Sequence, residues 1–217
     1  QGDICDAELI DGLFARFQPD RLVHLAAWAG VRPSIEDPGI YARVNLEGTV
    51  TLFQACRKYG VDRIVFASSS SVYGDREEVP FRETNDVGQP ISPYAATKRA
   101  GELLAYTWHH LFGFHIHCLR FFTVYGPRQR PEMAIAKFVS AIDGGEPITL
   151  FGDGHSARDY TYIDDIISGV MGAIDSVEGY GIYNLGNSTP TKLIDLVNQI
   201  GSALGKTPEI RYLPMQP

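Results

Sequence analysis

The chain has 217 residues, a formal net charge of −7, and 44% hydrophobic against 21% charged side chains. Such a composition describes a soluble globular chain with a substantial core, and its acidic balance argues against a nucleic-acid-binding surface. No apolar run reaches the length needed to cross a bilayer and no charged-then-apolar leader opens the sequence, so neither a membrane nor a nucleic acid is expected as a partner, and the expected location is the cytoplasm.

Short β-branched or apolar runs alternate with longer helical patterns, which is the signature of strand-helix-strand units and a parallel sheet. In chain order the pattern predicts strands at Leu22–Ala27, Arg63–Ser69, Ile116–Phe122, Ile148–Phe151 and Ile182–Leu185. Helices are predicted at Ile40–Lys58, Tyr94–Phe112, Ala134–Asp143, Asp164–Asp175 and Lys192–Leu204. His24, inside an apolar strand, reads as a packed histidine, and His109 and His110 at a helix end as partners of its dipole. Cys5, Cys56 and Cys118 are odd in number and lack metal-type spacing, so they read as packed, reduced thiols. Arg120, Arg128, Arg130 and Arg158 are the residues that could build a local cationic pocket.

The chemistry concentrates where the run RIVFASSSSVYG ends in four serines and is followed, 25 residues after Ser69, by Tyr-Ala-Ala-Thr-Lys. Tyr94 and Lys98, four residues apart, share one helix face, so the ammonium can lower the phenol pKa from about 10 toward working pH. A serine delivered from a neighbouring strand end can hydrogen-bond both the phenolate and the substrate hydroxyl it deprotonates. Taken alone, Tyr-x-x-x-Lys describes first an amphipathic helix that happens to carry both residues; the serine strand upstream, the Ser-Pro before Tyr94 and the segments downstream reverse that reading.

Through LVHLAAWAGVRPSIEDP, NLEGT, FASSSSVYG, SPYAATK, LRFFTVYGPRQRPEMA, FGDGHSARDYTYIDDI and YNLGN the chain resembles the extended short-chain dehydrogenase/reductase family, and within it the nucleotide-sugar 4-epimerases. The resemblance implies an α/β fold with a parallel Rossmann-like sheet and a smaller substrate-binding region. It assigns 1–130 to the dinucleotide-binding domain with its catalytic site and 131–217 mostly to nucleotide-sugar binding, with a strand near 182–185 returning to the main sheet. No Gly-x-x-Gly-x-x-Gly occurs, so the resemblance also implies that the first strands and the glycine-rich loop are lacking and that both regions are incomplete. Strand Leu22–Ala27 would then expose an unpaired edge, expected to be covered by a second copy, a swapped element or a rearranged N-terminus.

By the same resemblance Tyr94 is the base, Lys98 holds the nicotinamide ribose and Ser69 is the hydroxyl partner. The cofactor is NAD, met by Asp3, Ile4, Leu25, Ala26, Ala27, Asn45 and Phe122 besides Tyr94 and Lys98. Trp28 has a packing role as the alternative to a place near the cofactor, and Phe122 a place in the core. Relatives that dehydrate or decarboxylate carry acids where Ser70 and Ser71 stand, and neutral hydroxyls cannot replace those acids near pH 7. Ser70, Ser71, Thr123 and Arg130 instead suit a substrate carboxylate, as in UDP-glucuronate 4-epimerases, while Arg158 resembles the arginine that grips the diphosphate. Solvated surface arginines are the alternative for Arg130 and Arg158. The implied reaction is inversion at C4 of a UDP-sugar, UDP-glucuronate/UDP-galacturonate, by transient oxidation to a 4-keto sugar, in a homodimer built on the helices at Ile40–Lys58 and Tyr94–Phe112. Two alternatives stay open: a non-catalytic fragment unable to bind NAD, and an epimerase or reductase acting on another nucleotide sugar.

Overall fold

A computed structural model describes residues 1–214. The described residues divide into two compact units, one made of Gln1–Phe122 with Ile167–Leu185, the other of Thr123–Ile166 with residues 186–214.

The first unit runs through α1 (Ala7–Phe17), β1 (Leu22–His24), α2 (Val31–Glu36), α3 (Pro38–Ala42), a π-helical turn at Arg43–Glu47 and α4 (Gly48–Tyr59). It continues with β2 (Arg63–Ser69), a 3-10 turn at Ser70–Tyr73, α5 (Pro93–Phe112) and β3 (His115–Phe121). The second unit supplies β4 (Thr123–Tyr125), α6 (Ala134–Gly144), β5 (Ile148–Phe151) and β6 (Ala157–Tyr162). Helix α7 (Ile163–Ser176) leads from it to β7 (Tyr180–Leu185) of the first unit, and β8 (Pro190–Lys192), α8 (Leu193–Leu204) and β9 (Ile210–Leu213) belong to the second.

In the first unit β1, β2, β3 and β7 lie side by side in that order, all parallel. Ile64 and Phe66 of β2 and Ile116 and Cys118 of β3 point into one core with Ile10 and Phe14 of α1, Phe53 and Cys56 of α4, and Ala105 of α5. Helix α5 begins where Ser92 accepts a hydrogen bond from the Ala95 N–H at 3.1 Å and Pro93 takes the first helical position, where its missing donor costs nothing. It ends at Gly113, whose φ of +72° closes the last turn in the left-handed region. Gly101 is what lets α5 lie against the sheet, because a Cβ there would stand 2.3 Å from the Phe66 ring.

The expected helix at Ile40–Lys58 is divided: α3 ends at Ala42, the π-helical turn inserts one looser loop of hydrogen bonding around Asn45, and α4 resumes at Gly48. The expected strand Leu22–Ala27 leaves the sheet after His24, and four residues on, the Asn45 side chain takes both backbone polar groups of Trp28. Among the described residues β1 pairs only with β2, so within one chain its outer edge is open. A rearranged N-terminal strand does not cover it; the first residues lead instead into α1, which packs on α4. Leu25 and Trp28 beside that edge are half exposed.

In the second unit β4 pairs in parallel with β6, β6 antiparallel with β8, and β5 in parallel with β9. Phe138 and Ile142 of α6, Leu150 of β5, Tyr160 of β6 and Val197 of α8 form its core. No helix of the described residues is long and apolar enough to cross a membrane, and Cys5, Cys56 and Cys118 are free thiols.

Candidate active site

The carboxyl end of β2 and the first two turns of α5 are one packed assembly. Lys98 is only 5% exposed, and its Nζ donates to the Ala67 carbonyl at 2.7 Å, two residues before Ser69. Burial lowers the Lys98 pKa to about 8, which leaves the side chain mostly an ammonium at neutral pH. That charge lies 6.0 Å from the centre of the Tyr94 ring and 5.4 Å from that of Phe66. The Tyr94 ring meets Tyr41 edge-on, with centroids 6.2 Å apart, and Tyr41 is itself anchored by its hydroxyl donating to the Ala29 carbonyl at 3.1 Å. Ser69 ends β2 and opens the 3-10 turn: its Oγ accepts from the Ser71 N–H and lies 3.2 Å from the Ser71 Oγ. Ser70 and Ser71 are half-buried on that turn.

A tyrosine and a lysine on one face of α5, with a serine at the end of the strand the lysine is bonded to, form a constellation suited to taking a proton from a hydroxyl group and returning it. Comparison with known proteins agrees with this chemistry, since residues 1–186 match the NAD dependent epimerase/dehydratase family. The chain belongs to that family. It is 42% identical over 214 residues to a UDP-glucuronate 4-epimerase of Thermodesulfobacterium geofontis, covering 98% of this chain and 66% of that relative. Among solved structures it resembles the Thermus thermophilus UDP-glucose 4-epimerase in complex with NAD, with a TM-score of 0.92 and 36% identity over 100% of this chain and 72% of that one. It is also similar to MoeE5 in complex with UDP-glucuronic acid and NAD, with a TM-score of 0.89, 36% identity and the same coverage. This family member therefore spans about two thirds of the length of that epimerase relative.

On the side expected to meet the cofactor, Asp3, Ile4, Ala26, Ala27 and Trp28 border an open depression of about 610 Å³ beside the β1 edge. Leu25, next to it, is half exposed. The Asp3 carboxylate accepts from the Cys5 N–H at 2.9 Å and the Arg43 guanidinium at 2.7 Å, which hold it below the usual carboxylate range. Ile4 doubles as core, for a Cβ on Gly48 would fall 2.6 Å from its side chain. Asn45 is buried, and it clamps the loop after β1: its Oδ1 accepts from the Trp28 N–H at 2.8 Å while its Nδ2 donates to the Trp28 carbonyl and the Thr97 Oγ1, each at 3.0 Å. That triple contact explains the π-helical turn, since the extra residue turns Asn45 toward both the loop and α5. Phe122 is half-buried and lies 6.3 Å from Phe81, ring to ring. His24 is buried and donates from Nε2 to Thr49 Oγ1 at 2.9 Å; burial, then the Lys98 charge, lower its pKa to about 3, so it stays neutral.

The remaining expected residues lie in the second unit. Thr123 is half-buried in β4 opposite Tyr160 of β6. Arg130 is half exposed, 3.2 Å from the Glu132 carboxylate, and Arg158 is exposed in β6 opposite Thr191 of β8. Arg128 is exposed as well, with a φ of +65°.

Arg120 does not belong to a cationic pocket. It is 1% exposed and committed to Glu102, itself fully buried, with Nε to Oε1 at 2.8 Å and Nη2 to Oε2 at 2.9 Å. The physical reason is position: Arg120 sits on the core-facing side of β3, directly beside Ser68 of β2, under α5. Sequence reasoning missed Glu102, although it lies one further helical turn along the face that carries Tyr94 and Lys98.

Proposed function

We propose that this chain carries the catalytic centre of an NAD-dependent 4-epimerase that interconverts UDP-glucuronate and UDP-galacturonate. The observation that carries the reading is Lys98: a buried ammonium hydrogen-bonded at 2.7 Å to β2 and one turn along α5 from Tyr94. A lysine kept cationic inside the protein stabilises the phenolate that Tyr94 must become in order to accept a proton. Ser69 supplies a hydroxyl that orients the sugar 4-hydroxyl toward that phenolate.

Asp3, Ala26, Ala27, Asn45, Lys98 and Phe122 are the residues that would hold NAD. Their fit is supported on one side by the open depression that Asp3, Ala26 and Ala27 border, and by the hold of Asn45 on the backbone of Trp28, a further residue of that border. When bound, NAD supplies a reversible hydride acceptor for C4, so that inversion proceeds without net redox change. Everything else is work for the chain's own side chains: Tyr94 takes and returns the proton, Lys98 holds the charge, and the Asn45 clamp fixes the backbone at Trp28.

The preference for a uronate rests on Ser70 and Ser71 as donors on the turn, on Thr123 and Arg130 as further donors for a carboxylate, and on Arg158 for the diphosphate. The similarity to UDP-glucuronate 4-epimerases at 42% identity favours the same substrate. A homodimer fits the outward face of α5, where Leu103, Tyr106 and Leu111 are all more than half exposed. Free thiols in Cys5, Cys56 and Cys118 suit the reducing cytoplasm. The experiment is calorimetric titration of the 217-residue chain with NAD and then UDP-glucuronate. Saturable binding of both supports the reading; a folded chain that binds neither refutes it and leaves a protein that keeps the tyrosine-lysine pair without the reaction.

A further inference from the structure

Glu102 receives four hydrogen bonds, a number well beyond what a helix needs from one side chain. Ser68 Oγ and Arg120 Nε reach Oε1 at 2.6 and 2.8 Å, and Arg120 Nη2 and Arg99 Nη1 reach Oε2 at 2.9 and 3.0 Å. Desolvation pushes the Glu102 pKa up, but the hydrogen bonds from Arg120 and Ser68 outweigh it, so the group stays ionised. A buried ion pair of this kind is weak evidence for stability, because packed apolar residues of similar volume do as well or better. Its value has to be sought in what it holds in place.

The contacts lead to the serine turn from both ends. Ser68 immediately precedes Ser69, and it is tied to Glu102 directly. Tyr73 is the last residue of the turn, and its hydroxyl accepts from Arg120 Nη1 at 2.9 Å and donates to Asn184 Oδ1 of β7 at 2.7 Å. Arg120 also lies over the Tyr73 ring, which stacks on Phe81 at 4.6 Å. Asn184 in turn donates from Nδ2 to the Phe81 carbonyl at 3.1 Å. One carboxylate on α5, on the face that carries Tyr94 and Lys98, therefore anchors the segment that carries Ser69, Ser70 and Ser71 at its beginning and at its end.

We propose that Glu102, Arg120 and Tyr73 are positioning residues, a buried clamp that fixes the serine turn of β2 against the tyrosine-bearing helix α5. The clamp acts through Ser69 and touches neither the sugar nor the cofactor. This inference rests on the epimerase reading for its catalytic consequence, since proton transfer tolerates little misplacement and a shift of about 1 Å can cost about 100-fold.

Tyr73→Phe is the test, because it keeps the ring stack with Phe81 and removes only the hydroxyl that joins Arg120 to Asn184. Ser68→Ala cuts the other branch and serves as the second variant. In either variant kcat for UDP-glucuronate should fall at least tenfold with KM within twofold, because the substrate contacts are untouched, while the protein stays folded with a melting temperature a few degrees below the parent, since each change removes one hydrogen bond from a buried charged group. Hydrogen exchange supplies a readout that needs no turnover. The Ser71 amide, bonded to Ser69 Oγ, and the Gly74 amide, bonded to the Ser71 carbonyl, should exchange at least tenfold faster, while the amides of β2 and β3 keep their protection. Unchanged kcat in an active protein overturns the clamp. If the parent chain shows no epimerisation, the functional reading fails on its own, and hydrogen exchange still decides: unchanged protection at Ser71 and Gly74 overturns the clamp, and a local loss sustains it.

Discussion

Replacing Lys98 with methionine should change how the stability of the protein depends on pH. The Lys98 pKa falls from 10.5 to about 8 in the folded chain, with burial as the cause. Between pH 8 and 10.5 the folded state thus binds fewer protons than the unfolded state, so Lys98 makes stability rise with pH across that window. Below pH 8 the ammonium is charged in both states and the desolvation cost is felt in full; above pH 10.5 it is neutral in both and the cost is gone. A displacement of this size corresponds to about 3 kcal/mol. The hydrogen bond from Nζ to the Ala67 carbonyl favours the charged form, which makes that figure an upper value. The assay is urea unfolding of parent and Lys98→Met proteins at pH 7.5, 9 and 10.5, taking the difference in unfolding free energy at each pH. Ionisation of Cys56 and Cys118, whose pKa values burial raises, cancels in that difference. The parent should gain on the variant by about 2 to 3 kcal/mol from the lowest to the highest pH. A difference that stays flat would show that Lys98 is not a buried cation and would remove the basis for its action on Tyr94.

Tyr94→Phe should lower kcat by about 100-fold or more, the usual contribution of a positioned acid-base group, while thermal unfolding stays within a few degrees of the parent; retained turnover would remove Tyr94 as the base. Arg130→Ala should leave stability within about 0.5 kcal/mol, because its ion pair with Glu132 is half exposed on both sides. The same variant should reduce kcat/KM for UDP-glucuronate at least tenfold more than for UDP-glucose, and equal losses on the two would discard the carboxylate role.

Much of the fold was legible because the period of apolar residues survives in both kinds of element. Arg63–Ser69 is a strand at the bounds the sequence predicts, being apolar and buried almost throughout. Helix α5 starts one residue before the predicted Tyr94, where Ser92 and Pro93 mark its cap. The break at Arg43–Glu47 carries no propensity signal, because the side chain of Asn45 sets it through contacts with Trp28 and Thr97 that are 17 and 52 residues away in sequence. Strand β8, Pro-Thr-Lys, is a strand only because β6 lies beside it, and so has no pattern of its own. At the site, Tyr94 and Lys98 announce themselves by a spacing of four, and Glu102 repeats that spacing once more. Its partner Arg120 is misread from sequence because an arginine in an apolar strand looks like a pocket lining until the carboxylate from α5 is placed above it.

The most direct measurement is incubation of the chain and NAD with UDP-glucuronate deuterated at C4, followed by nuclear magnetic resonance of the products. Proton removal by Tyr94 and return of the same hydride to the other face predict UDP-galacturonate that keeps the label at C4 in unlabelled water. Loss of the label to solvent, or no UDP-galacturonate from a folded protein that binds both ligands, would contradict epimerisation through Tyr94, Lys98 and Ser69.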